Sequence, residues 1–282
     1  MSDDELSLGG IFPEEPRPPT PEPTVEVYYR DDDIVSDEWR EIKIRLVGSH
    51  PLWGHHLYRG HLDIAQRSSI FCRWNAARAF ASYLDHNQEL YRDRFVLELG
   101  AGGGLPGLVA ARNGAQHVLL TDYPDANLVQ NMEHNVTENA LRGCVSVKGY
   151  VWGHPTKPLT DALSAAEDGF HLIIMSDLVF NHSQVRGTSD TDSSSMTPTK
   201  HDALLQTCEN SLAGADGAAV LVFYTHHRPH LADKDMEFFS KARVRGWTCE
   251  EILTRRFAPM FPEDAGEESV RATVHGWRLK RA

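Results

Sequence analysis

Residues 96–107 read V-L-E-L-G-A-G-G-G-L-P-G, an apolar run that ends in glycines and passes into a helix-forming segment. Gly100, Gly102 and Gly104 let the backbone turn tightly and approach a ligand closely, and the following helix offers N–H groups with no intrahelical partner. Two ligands use that geometry. A dinucleotide requires G-x-G-x-x-G directly after the strand; residues 102–107 match it, but two positions late and with Pro106 inside the pattern. S-adenosylmethionine requires an acidic residue two positions before the first glycine and then G-x-G-x-G, which Glu98, Gly100, Gly102 and Gly104 satisfy in register. Asp122, at the end of the next apolar run, can accept both ribose hydroxyls of either ligand, so it supports a nucleotide without choosing one. The bland alternative is a strand-to-helix turn that binds nothing.

These residues need elements to hold them. Short apolar runs at 95–99, 117–121, 145–151, 171–176 and 218–225 read as strands, and helical apolar spacing occupies 105–113, 126–138, 201–213 and 231–245. A further helix follows residue 74, with Ala77, Phe80, Ala81 and Leu84 on one face. Strands alternating with helices predict an α/β, doubly wound, mostly parallel sheet covered on both faces, and final strands at 248–256 and 270–279 predict an antiparallel edge. The architecture expected is one domain with a seven-stranded sheet, preceded by a hairpin that begins at Val25 and ends near Gly48.

Composition narrows the class. The chain has 282 residues, with 28 Lys and Arg against 40 Asp and Glu, a formal net charge of −12. That balance excludes a non-specific nucleic-acid binder, which would need a basic face. Residues 1–24 hold six of the fifteen prolines and six acidic residues and read as a disordered tail. No apolar run approaches the roughly 20 residues of a membrane span, and the sequence reads as an intracellular soluble protein. Cys72, Cys144, Cys208 and Cys249 are widely spaced, which suggests buried thiols and neither a disulfide framework nor a zinc site.

Three further segments, T-D-Y-P-D (121–125), G-Y-V-W-G (149–153) and S-D-L-V-F-N-H (176–182), together with the glycine turn resemble the motifs of seven-β-strand (class I) methyltransferases in their protein-lysine branch. Residues 46–57 (L-V-G-S-H-P-L-W-G-H-H-L), 74–76 (W-N-A), 223–229 (F-Y-T-H-H-R-P) and 260–264 (M-F-P-E-D) sharpen the likeness to the fungal protein N-terminal and lysine methyltransferases of translation elongation factor 1-alpha, a group formerly described as nicotinamide N-methyltransferases. The resemblance runs from about residue 25 to residue 282. It implies S-adenosyl-L-methionine as cofactor, with Gly100, Ala101 and Gly102 along its methionine and ribose, Asp122 on the ribose, Trp152 beside the adenine, and Trp74 and Ser176 completing the pocket. It also implies a cytoplasmic, monomeric enzyme whose partner is the N-terminus of the elongation factor, with no nucleic acid and no membrane involved. Asp177 matches the acid of the family's D-x-x-Y motif and becomes the candidate catalytic residue; the fourth position is Phe180, so no hydroxyl is available there. A small-molecule amine methyltransferase and a non-catalytic module of the same fold are the competing readings.

The pairs His55-His56 and His226-His227 invite a metal, but adjacent strand residues point to opposite faces and neither pair has a Cys or H-x-x-x-H partner, so hydrogen bonding or pocket shape is expected instead. Asp31 to Asp33 and the acidic stretch 263–268 read as solvated loops. Trp53 and Trp74 offer faces to a cation, with core packing as the alternative. Two sixteen-residue segments, 58–73 and 185–200, interrupt the family pattern without helical or strand period. Both can be encoded to open with GT and close with AG. They read as retained introns, which sequencing of the transcript decides; if they are protein, they lie beside Trp74 and after Asp177 and bear on the competence of the site.

Overall fold

The computed structural model describes residues 23–31, 33–34, 39–47, 75–164, 167–180, 199–259 and 266–282. Residues 1–22 of the tail, Trp53, Trp74, His55-His56, segment 58–73 and residues 185–198 lie outside the described residues, and Thr24, read as the end of the tail, starts the first strand. Two strands, β1 (Thr24–Tyr29) and β2 (Glu41–Leu46), pair antiparallel as a separate hairpin, with Thr24 opposite Leu46 and Tyr29 opposite Glu41. The main sheet has seven strands in the order β5-β4-β3-β6-β7-β9-β8. Its members are β3 (Phe95–Leu99), β4 (His117–Asp122), β5 (Val145–Gly149), β6 (Leu172–Ser176), β7 (Ala219–Thr225), β8 (Trp247–Arg256) and β9 (Thr273–Arg281). All pairings from β5 across to β7 are parallel, and β9 runs antiparallel to both β7 and β8. The doubly wound sheet and its antiparallel final strand match the expectation.

Strand side chains alternate between two cores, as a pleated sheet covered on both sides requires. Val96, Val118, Leu120, Ile174 and Phe223 pack under α1 (Asn75–His86), α2 (Leu105–Arg112) and α3 (Ala126–Glu138). Leu97, Leu119, Ile173, Met175 and Val222 pack under α5 (Lys200–Ser211) and α6 (Ala232–Val244). The short α4 (Lys157–Thr160) is not signalled by periodicity, and α7 (Glu268–Arg271) takes up residues read as the start of the last strand. In α7 the Glu268 carbonyl accepts from Ala272 N–H at 2.8 Å, so the strand starts at Thr273 and not at residue 270. Strand β5 likewise ends at Gly149, two residues short of the expected run. Helix α3 begins after Asp125, whose carboxylate caps the N–H groups of Asn127 and Leu128. Helix α5 begins after Thr199, which forms a reciprocal capping box with Asp202. Residues 199 and 200, read as the end of an insert, therefore start this helix. No helix among the described residues is long and apolar enough to cross a membrane.

The hairpin is tied to the sheet by three asparagines one helical turn apart, Asn131 and Asn135 on α3 and Asn139 at its C-cap. Asn139 accepts from Lys43 N–H (3.0 Å) and donates to Lys43 O (2.7 Å); Asn135 accepts from Arg45 N–H (2.8 Å) and donates to Arg45 O (2.9 Å); Asn131 also donates to Arg45 O (2.9 Å). The amides thus complete the backbone hydrogen bonding of β2 as a neighbouring strand would. Beside the hairpin, Arg30 holds Asp85 of α1 with its Nη2 at 2.7 Å and stacks on Trp39.

Candidate active site

The glycine turn lies at the carboxyl end of β3, next to the point where the strand order reverses between β4 and β6, which is where open α/β sheets bind ligands. Gly100, Gly102 and Gly104 all have φ between +55° and +78°. At Gly102 no atom lies within 4 Å of where a Cβ would stand, so its left-handed backbone alone demands glycine and the space beside it is open. Gly103 has the opposite reason: a Cβ there would meet Ile44 Cγ2 at 2.6 Å, because β2 packs directly on the turn. Asp122, buried at the end of β4, stitches the turn in place. Its Oδ2 accepts from Gly102 N–H and its Oδ1 from Tyr123 N–H, both at 2.7 Å. Ala101 N–H donates to Thr121 O at 2.9 Å. Asn135 of α3 donates to Gly103 O at 3.0 Å, joining the turn to the hairpin clamp.

A cavity of about 550 Å³ opens between the hairpin, the turn and the ends of α1 and β6, within the roughly 300–1,000 Å³ range of small-molecule sites. Its wall includes Gly100, Ala101, Gly102, Ser176 and Asp177. Three residues of the wall each carry a buried polar atom without a hydrogen-bond partner: Tyr28 Oη, Glu98 Oε1 and Asn131 Oδ1. Those residues are 7%, 0% and 2% exposed, and leaving such buried atoms unpaired is costly. Arg78 of α1 adds a cation to the same wall.

Glu98 gives its other oxygen to Gly107 N–H at 2.8 Å. Burial pushes its carboxyl up to about 8, the Gly107 N–H opposing the rise and the Asp122 charge adding to it. Between its ordinary value near 4.5 and about 8, the folded chain keeps a proton that the unfolded chain releases, so the contribution of Glu98 to stability falls as pH rises through that window. Glu98→Gln keeps an acceptor for Gly107 and removes the titration. Unfolding free energies from urea titrations across the window are expected to decline less in the variant, by on the order of a few kcal/mol, and identical slopes would refute this account.

At the other end of the cavity, Ser176 ends β6 and Asp177 follows it, 5% exposed and with φ +58°. Trp152 does not belong to the cavity wall; it packs on the far core cluster, and a Cβ at Gly100 would meet its Cζ2 at 3.1 Å. Seven of the eight sequence-derived site residues therefore gather at the carboxyl edge of the sheet, while Trp74 lies outside the described residues. Sequence reasoning missed Tyr28, Asn131 and Asn135. The N-x-x-x-N-x-x-x-N spacing of 131–139 is the signal that could have found the last two. The described histidine pair lies in the turn just past the end of β7 and divides there: His226 faces Asp235 (2.6 Å) and His227 faces Asp177 (2.8 Å). Asp31 and Asp33, read as solvated, are engaged by Ser82 Oγ (2.5 Å) and His86 (3.1 Å).

A seven-stranded, doubly wound sheet with its last strand reversed and a glycine turn tied to an acid at the end of the next strand is the class I methyltransferase arrangement. The lysine methyltransferase family matches residues 62–242. The protein N-terminal and lysine N-methyltransferase efm7 of Schizosaccharomyces pombe is 41% identical over 99% of this chain and 98% of its own. Its counterpart in Candida glabrata is 40% identical over 100% of both chains, and that of Cryptococcus neoformans strain B-3501A is 37% identical over 99% of this chain and 90% of its own. Among solved structures, an O-methyltransferase from Bacillus cereus superposes with a TM-score of 0.47 at 10% identity, covering 80% of this chain and 84% of that one. The chain belongs to the lysine methyltransferase family.

Proposed function

We propose that this protein transfers methyl groups from S-adenosylmethionine to the N-terminal glycine amine and the adjacent lysine of translation elongation factor 1-alpha, as a monomer in the cytoplasm. The observation that carries the reading is one cavity that joins the Asp122-stitched glycine turn to Asp177. The names of the full-length relatives support a protein amine as the acceptor.

The residues fit the cofactor. The open space at Gly102 admits a ligand against the backbone, Asp122 beside that turn offers a carboxylate for a ribose, and the Arg78 cation in the wall suits a carboxylate group. When bound, S-adenosylmethionine supplies a methyl on a sulfonium, so that the acceptor nitrogen's lone pair displaces a neutral thioether and its extra proton passes to solvent. The protein's part is mainly positioning, since holding nucleophile and methyl in line supplies most of what the reaction needs. Asp177, itself 5% exposed, accepts a hydrogen bond from the incoming amine and offsets positive charge there. An α-amine, with a reference pKa of about 7.7–8.0, is nearer its neutral form at pH 7 than a lysine at about 10.4 and is the easier acceptor.

The test is incubation of the full chain with S-adenosylmethionine and a peptide of the elongation factor N-terminus, read by mass spectrometry of the first residues. Methylation of the terminal amine and neighbouring lysine is expected. Methylation of nicotinamide in a parallel reaction with the peptide untouched would move the assignment to a small-molecule amine. Calorimetry showing binding of NADH and not of S-adenosylhomocysteine would overturn the cofactor.

A further inference from the structure

Asp177 and His227 follow the carboxyl ends of the neighbouring parallel strands β6 and β7 and meet at one end of the cavity. Their side chains are 5% and 3% exposed. Asp177 sits at φ +58°, a left-handed conformation uncommon outside glycine, which the backbone enforces by donating Asp177 N–H to Phe223 O at 2.7 Å. Its Oδ1 accepts from Thr225 N–H at 3.2 Å, and its Oδ2 accepts from His227 Nε2 at 2.8 Å. Phe180, at the position where the family pattern carries a tyrosine, stands edge-on to the His227 ring with centroids 5.5 Å apart. Asp177 is also the carboxylate of the cavity wall at this end.

An aspartate's terminal torsion is broad, so a carboxylate held by one long backbone hydrogen bond can swing. A charge-assisted bond to a buried ring nitrogen removes that freedom, and a nucleophile that must lie within about 3–3.5 Å of a methyl in line with the leaving group is sensitive to the change. We propose that His227 is the positioning residue for Asp177: it fixes the carboxylate plane so that the free lone pairs point into the cavity at the acceptor amine, supplying the polar contact that Phe180 lacks. The proposal rests on Asp177 receiving that amine.

The experiment compares His227→Ala, His227→Gln and Asp177→Asn in the full chain. It measures S-adenosylhomocysteine affinity by calorimetry, the melting transition, and kcat and KM with the elongation factor peptide. Glutamine retains an N–H donor but cannot carry an imidazole's proton. His227→Ala is expected to lower kcat about 10- to 100-fold with cofactor-product affinity within about threefold of the parent, and His227→Gln to recover most of the loss. A glutamine variant that is folded, binds S-adenosylhomocysteine normally and is as slow as the alanine variant would overturn the positioning role, as would parent-like kcat in His227→Ala. Where the alanine variant shows no melting transition, the folded glutamine variant decides alone on the same criteria. Full turnover by Asp177→Asn would remove Asp177 from the acceptor site and this inference with it. A slow Asp177→Asn beside an unaffected His227→Ala would overturn only the part assigned to His227.

Discussion

Asp122→Asn is expected to weaken S-adenosylhomocysteine binding on the order of 100-fold. Both oxygens of this buried carboxylate accept backbone N–H groups at 2.7 Å, from Gly102 on one side and Tyr123 on the other. An asparagine keeps one acceptor and turns an amide NH₂ toward the second N–H, so one contact becomes a repulsion and the glycine turn is released from the end of β4. Hydrogen bonds to charged groups contribute about 1.5–3 kcal/mol each, and loss of one together with the charge that would face two ribose hydroxyls gives the stated magnitude. Calorimetry on the folded variant is the measurement. Parent-like affinity would mean that Asp122 serves the turn and not the ligand.

Asn135→Ala carries the second large effect, and it falls on stability and binding together. The amide is the only side chain among the three asparagines that reaches both the hairpin and the turn, with hydrogen bonds to Arg45 N–H, Arg45 O and Gly103 O. Its removal leaves a strand N–H and a turn carbonyl without those partners, at about 1–3 kcal/mol each. A fall in the melting temperature of roughly 10 °C follows for a domain of this size. Asn139→Ala is the control. It breaks the same kind of contact to Lys43 but does not touch the turn, so it should destabilise without a matching loss of S-adenosylhomocysteine affinity. Equal losses of affinity in the two variants would show that the hairpin as a whole, and not the tie through Asn135, governs the site.

The parallel core of the sheet was legible because each strand is a short apolar run and the helices between them carry their own apolar spacing. Helix α3 ends where its periodicity ends and starts where Asp125 can cap it. The glycine turn and Asp122 were legible for the same reason: their roles are local, set by strand ends and backbone conformation. What escaped is non-local. Asn135 bonds to a residue 90 positions away, and His227 to one 50 positions away, so spacing can mark the asparagine row but not the partner of either residue. Tyr28 reads from sequence as one more strand aromatic; only the packing of the hairpin on Gly103 brings it into the cavity wall. The start of β9 was misplaced because Val270, Ala272 and Val274 alternate like a strand while the first of them belongs to a helical turn.

The position of β9 between β7 and β8 also bears on how the chain reaches this state during synthesis. Strand β8 emerges first, yet among the described residues its sole sheet neighbour is β9, and β7 has no described partner on that side until β9 arrives. A nascent chain that has exposed residues up to 256 therefore carries one open edge on β7 and one solitary strand, the features that invite pairing with other chains. The site itself, at β3, β4 and β6, lies on strands whose neighbours are all synthesised by residue 225. The binding edge can thus organise while the far edge waits, and substitutions in β9 should act on soluble yield before they act on affinity.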